Sequence, residues 1–250
     1  MKFKIYLRSL LTLALAALLA ACGSGKSSTS SGSNATPAVP QLNGTFVFSA
    51  SGSDPADGSY FIAGSFTADG KGGLTGIEDL NLGSGVDSNV PFTGTYLIDS
   101  AGNVAVTVSD GTGIPTFFTF PMPSGSAAAK VSYDGTGTGT VQSQSTSAFS
   151  NVGTFAFTLN GQGEGTVTGS GSFTTNAAGS FTAGSENFSD GAFARTSSAL
   201  SGTLSPVFSG GRGTAVIGSE LFSYYAISQN QIVLAGLEDS ALIYGTATKQ

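Results

Sequence analysis

The stretch NVAVTVS, Asn103–Ser109, decides the fold. Val104, Val106 and Val108 fall on one side of an extended chain, and Ala105, Thr107 and Ser109 on the other. Strict period-2 alternation of β-branched and small polar residues predicts a strand with one face buried. A turn triplet, Ala101-Gly102-Asn103, stands before it. The same grammar extends in both directions. TFVFSAS puts Phe46 and Phe48 in phase, and YFIAGSFTA alternates loosely through Tyr60, Ile62, Gly64 and Phe66. Asp69-Gly70, Asp134-Gly135, Asn160-Gly161 and Gly210-Gly211 supply further turns. Nothing beyond Leu42 combines a cap with an apolar helical stripe, and the alanines of SGSAAAKVS lie between two expected strands.

The pattern then repeats. GTFVFS (Gly44–Ser49) returns as GTFAFT (Gly153–Thr158), and GSFTADGKG (Gly64–Gly72) as GSFTTNAAG (Gly171–Gly179). FTGTYL (Phe92–Leu97) returns as LSGTLS (Leu200–Ser205), and GTVQSQ (Gly139–Gln144) as GTATKQ (Gly245–Gln250). Four matches in one order at offsets of 106 to 109 residues mark a duplicated domain rather than a solenoid. The expected modules are 42–145 and 146–250.

Each module holds about eight strands; in the first they are expected near 44–50, 59–68, 73–82, 92–99, 103–109, 115–121, 127–133 and 138–145. Short turns make sequence neighbours pair. The expected fold class is therefore all-β: two tandem modules of antiparallel meander strands, each closing into a small up-and-down barrel without free edges. A β-sandwich is the alternative, and one sixteen-stranded porin-like barrel ranks third. Gly64, Gly76, Gly94, Gly171 and Gly202 recur inside expected strands, as a strongly curved sheet requires.

The N-terminal segment is different. Lys2, Lys4 and Arg8 precede an apolar run from Ser9 to Ala21, a positive n-region and an h-region of secretory length. The run ends at Leu19-Ala20-Ala21-Cys22, with the only cysteine of the chain. This tetrad resembles the bacterial lipobox. The resemblance implies cleavage after residue 21, a diacylglycerol on the Cys22 thiol and an acylated amino group, which together hold a protein to a bilayer. Gly23 stands where an Asp would favour inner-membrane retention, so the resemblance implies the outer membrane, either leaflet face being open. Residues 22–41, Ser/Gly-rich with two prolines, read as the lipidated cysteine and a flexible tether with a mean reach of roughly 25 Å. Ala20 to Ser27 also fits a permissive A-x-x-x-x-G-K-S phosphate-loop pattern. That loop needs a strand before it and a helix after it, and here a leader and a tether flank it.

From residue 22 onward, 6 basic residues face 15 acidic ones, a net charge of −9. This argues against nucleic acid as a partner. The chain has no histidine and no tryptophan. His-dependent nucleophiles, His or Cys zinc sites and disulfides are thereby excluded, and no cofactor is expected.

Few residues remain as candidates. Glu78, in GIEDLN, and Glu186, in GSENFS, occupy equivalent places. Glu78 is in phase with Leu74, Leu80 and Leu82 and so expected to point inward, opposite Asp79. Glu186 is out of phase with Phe181, which calls for a bulge. Both read first as buried carboxylates satisfied by a backbone N–H, by Lys130 or by an arginine, and second as ligand-orienting groups in a lumen. Asp54 and Asp57, in SDPADGS, read first as a turn and second as candidates for calcium, which needs six to eight oxygens. Tyr133 and the FSYYA run (Phe222–Ala226) read as core, with a sugar-stacking surface as the other reading.

The run GSFTADGKGGLTGIEDLNLGSG followed by FTGTY, with the terminal GTATKQ, resembles uncharacterised bacterial lipoproteins built of Gly/Thr/Ser-rich β repeats. The resemblance implies the architecture and no activity. The functional expectation is a non-catalytic lipoprotein anchored in the outer membrane and acting as a binding, adhesive or structural envelope module. Its partner would be an envelope or extracellular component, glycans included. The alternative is a carrier of a small ligand in a barrel lumen. Lumens filled by inward Phe, Leu and Val would favour the first.

Overall fold

The computed structural model describes residues 41–55, 58–82, 85–111, 115–145 and 149–250. The leader, the tether with Cys22, and Asp57 lie outside the described residues.

Two closed eight-stranded antiparallel barrels make up the described chain. The first contains β1 (Asn43–Asp54), β2 (Gly58–Asp69), β3 (Gly73–Asn81), β4 (Val86–Ile98), β5 (Asn103–Ser109), β6 (Thr116–Pro121), β7 (Ala129–Tyr133) and β8 (Gly137–Ser143). The second contains β9 (Gly153–Gln162), β10 (Thr166–Thr175), β11 (Ser180–Asp190), β12 (Phe193–Leu204), β13 (Arg212–Ile217), β14 (Glu220–Ser228), β15 (Gln231–Gly236) and β16 (Leu242–Lys249). Every strand pairs with its sequence neighbour, and β1–β8 and β9–β16 close the rings. A sandwich and a single porin-like barrel are both ruled out by these closures.

Alternation decides what each wall faces. In β5, Val104, Val106 and Val108 are buried while Ala105, Thr107 and Ser109 are exposed. Phe48 on β1 stacks on Phe118 of β6 at 5.5 Å, and Phe66 on β2 reaches Phe118 at 6.1 Å. Rings from opposite walls thus meet across the first lumen. Phe155, Phe157, Phe173, Phe222 and Tyr224 fill the second. The strand glycines make room for these rings. A Cβ at Gly64 would lie 2.6 Å from the Phe48 ring and 2.7 Å from the Ile77 carbonyl; one at Gly171 would meet the Ser185 carbonyl first and lie 2.7 Å from Phe157, the equivalent ring in the second barrel.

β4 begins at Val86, six residues before the expected start. The added stretch carries a bulge of β4, where Ser88 and Asn89 stand opposite the single Asp79 of β3, and Asn89 adopts a left-handed φ of 59° there. The bulge expected near Glu186 is present in β11, between Phe181 and Glu186.

The barrels lie side by side on a shared apolar seam. Val47, Phe61 and Ala63 from the outer face of β1 and β2 pack against Tyr225, Ile227, Val233, Ala235 and Leu242 from β14 to β16. Phe61 and Tyr244 stack across it, 4.3 Å apart and nearly parallel. At one end, here the upper, Asn81 Nδ2 donates to the carbonyl of Gly236 at 3.0 Å and Ser59 Oγ donates to Gln162 Oε1 at 3.3 Å. At the lower end, Gln144 Nε2 donates to the carbonyls of Gly210 and Ala226, both at 2.8 Å. The upper ends of the two barrels therefore face the same way.

Candidate functional site

Three regions carry polar chemistry: a buried ion pair in the seam, the two upper mouths, and a groove beside the seam.

The seam encloses Asp79, 1% exposed. Arg212 of the second barrel donates to it through Nε (2.8 Å, Oδ2) and Nη2 (2.7 Å, Oδ1). Tyr225 OH (2.6 Å), Ser88 Oγ (2.7 Å) and the Asn89 amide (2.9 Å) complete its shell. Burial pushes the Asp79 pKa up, but the hydrogen bonds from Arg212, Tyr225 and Ser88 outweigh it and hold the carboxyl below the usual range. The Tyr225 phenol is driven far up by burial and by the Asp79 charge. A fully satisfied, doubly donated carboxylate at this place locks two barrels; it has no free lone pair for chemistry.

Glu78, by its phase, and Glu186, by the bulge before it, both point inward near the upper mouths, and Asp79 points the other way. Their surroundings differ. Glu186, 2% exposed, accepts from Arg195 Nε at 2.7 Å. Arg195 also reaches Glu220 at 3.4 Å and lies 4.3 Å over the Phe188 ring. Glu78, 8% exposed, has no hydrogen bond or ion pair among the described residues. Burial raises its pKa to about 8, aided by the neighbouring charges of Asp110 and Asp79. The Glu78 charge in turn adds to the burial that raises the Tyr133 phenol, whose ring lies tilted 5.9 Å from that of Tyr60. Lys130, expected as a partner for the inward carboxylate, sits exposed on the outer face of β7 instead. Alternation places it there, between inward Ala129 and Val131.

Asp54 closes β1 at the upper end. Among the described residues no three acidic side chains draw together as a metal site would need. Of the FSYYA run, Tyr224 enters the second lumen and donates to the carbonyl of Ser205, while Tyr225 enters the seam. The upper mouth of the second barrel holds a cavity of about 460 Å³ between Phe188, Phe193, Arg195, Glu220 and Glu238.

The groove runs where β1 and β8 face β9 and β16. Two adjoining hollows of about 240 and 220 Å³ share Ser51 and Tyr244. Hydroxyls and amides from Ser49, Thr140, Thr158 and Asn160 line it over the Phe61–Tyr244 pair.

Sequence reasoning had no view of Arg212, Ser88 or the groove. One signal was present: β2 and β15 carry Tyr60-Phe61-Ile62-Ala63 and Ile232-Val233-Leu234-Ala235, continuous apolar runs rather than alternating ones. Such runs mark strands covered on both faces.

No protein-family model matches the chain, and no curated protein matches it. Among solved structures, a protein assigned as AttH from Nitrosomonas europaea is 9% identical, with a TM-score of 0.29, over 83% of this chain and 92% of that one. Kievitone hydratase from Nectria haematococca is 11% identical, with a TM-score of 0.25, over 89% of this chain and 96% of that one. At such scores neither likeness bears on what this chain does.

Proposed function

We propose that the protein is a lipoprotein of the bacterial outer membrane, anchored through Cys22, whose paired barrels form a non-catalytic binding module of the envelope. One observation carries the choice of module over carrier: aromatic side chains from opposite walls touch across the first lumen, and five more rings fill the second. Ligand contact then belongs to outer faces and mouths. The groove beside the seam, with its hydroxyls over an aromatic pair, suits a glycan.

Two measurements test this reading. Cells expressing the chain are fed a labelled fatty acid: label on the wild type and none on Cys22→Ala supports the anchor, and unlabelled wild type overturns it. Native mass spectrometry of the detergent-extracted protein then separates module from carrier. A mass equal to chain plus lipid supports the module. A further stoichiometric mass, lost on denaturation, transfers the assignment to the carrier.

A further inference from the structure

The duplication lets one barrel serve as a control for the other. In the second, β11 and β12 pair Phe188 with Arg195, two residues beyond Glu186. In the first, β3 and β4 pair Leu80 with Asp87, two residues beyond Glu78. Directly opposed residues of an antiparallel pair share a face. Asp87 therefore holds the register position from which Arg195 drops its guanidinium onto the inward carboxylate. The second barrel neutralises its buried glutamate from its own chain; the first presents an acid where that cation belongs.

Nothing else in the first module can supply the charge. Lys71 and Lys130 are its only basic residues over 42–145, against nine acidic ones. Lys71 lies in the lower β2–β3 turn and Lys130 on the outer wall. Near Glu78 are Asp110 and the Tyr133 phenol, with Tyr60 and Asp134 beside Tyr133; Asp79 lies behind the strand, bound to Arg212. A carboxyl nine-tenths buried, without a hydrogen bond or ion pair among the described residues and near a second acid and the Tyr133 ring, is a receptor for a cation delivered from outside.

We propose that the upper mouth of the first barrel binds an organic cation, a guanidinium or primary ammonium group of a ligand, seated on Glu78 in the place that Arg195 fills in the second barrel. A single-charge organic group fits better than a divalent metal, because the described acids are not gathered into a coordination cluster. Acidic strand ends and turns at the upper end (Asp54, Asp87, Asp110, Asp134) set a potential that draws cations toward it. This inference does not depend on lipid anchoring or on the groove.

Calorimetry on the full chain in mild detergent tests it at neutral pH, with argininamide as probe and its uncharged ureido analogue, citrullinamide, as control. The expected result is saturable one-to-one binding of argininamide alone. Glu78→Gln should weaken it by about tenfold or more, the loss expected for one charge-assisted contact. Asp87→Arg should abolish it and raise the melting temperature, because the new guanidinium occupies the seat. Absence of saturable binding to the wild type, equal binding of the uncharged analogue, or undiminished binding by either variant overturns the proposal. Circular dichroism of each variant confirms that a loss is not unfolding.

Discussion

At the scale of residues, two neighbouring carboxyls on β3 meet opposite fates because a strand sends successive side chains to opposite faces. Asp79 goes into the seam and finds five donors; Glu78 goes into the barrel and finds none among the described residues. Their pH signatures therefore have opposite signs. The pKa of Glu78 rises from 4.5 to about 8 on folding. Below 4.5 both states are protonated and nothing is lost. As pH rises from 4.5 to about 8 the unfolded chain ionises and the folded one does not, so stability falls. Glu78→Gln should remove that slope and stabilise the protein at pH 7.5 by about 1–3 kcal/mol. Urea unfolding of both proteins at several pH values measures it; parallel profiles would refute it. Asp79 behaves conversely: its contribution is present at neutral pH and disappears as pH falls below the ordinary 3.8 of an aspartate. Asp79→Ala should cost about 3–5 kcal/mol in the same assay, since it strands the Arg212 charge in a mostly buried site. Asp79→Leu combined with Arg212→Met should recover most of that loss.

At the scale of elements, the inward rings and the glycines beneath them form one device used twice. Phe48 of β1 covers Gly64 of β2, and Phe157 of β9 covers Gly171 of β10. The strand glycines were legible as recurrent, and as features of a curved sheet. Their second role, clearance for a ring from the adjacent strand, became visible only with the register. Gly64→Ala and Gly171→Ala should each destabilise by about 1–3 kcal/mol, the usual penalty of overpacking. Gly102, in an open turn with nothing near its missing Cβ, has a φ of 84° and would report backbone strain alone. Thermal melts of the three variants separate the two effects; a Gly64→Ala protein as stable as the wild type would show that the ring has room to move. The element scale also sets what could be read in advance. Strand number, meander order and the inward phase of Glu78 follow from period 2 and are intrinsic to short stretches. The β4 start was not legible, because Val86 to Val90 pair only by virtue of the bulge at Ser88-Asn89 within them. The Asp79–Arg212 pair was not legible either, because its members are 133 residues apart and meet on outer faces.

At the scale of the whole molecule, the seam joins two barrels into one body. Its core takes Phe61 (4% exposed), Tyr225 (0%) and Val233 (5%) out of water, residues whose faces each point away from their own lumen. A barrel on its own would expose them as a contiguous apolar patch, with Asp79 or Arg212 left uncompensated at its centre. The barrels should therefore unfold together. In urea the intact chain should show one transition, with the same midpoint by far-ultraviolet dichroism and by tyrosine fluorescence. Residues 41–145 produced alone should be less stable or should self-associate through the exposed patch. Substituting Phe61→Ser and Tyr225→Ser in the intact chain, which weakens the seam but leaves both lumens untouched, should split the single transition in two. Coincident midpoints in that double variant would mean that the lumens, not the seam, set the common stability, and the two mouths could then move independently. If instead the transition splits, the seam is what holds both acidic upper ends on one side of the molecule. That side lies opposite the point where residues 41–42 enter, since the carbonyl of Leu42 is tied to Gly70 and Tyr96 at the lower end.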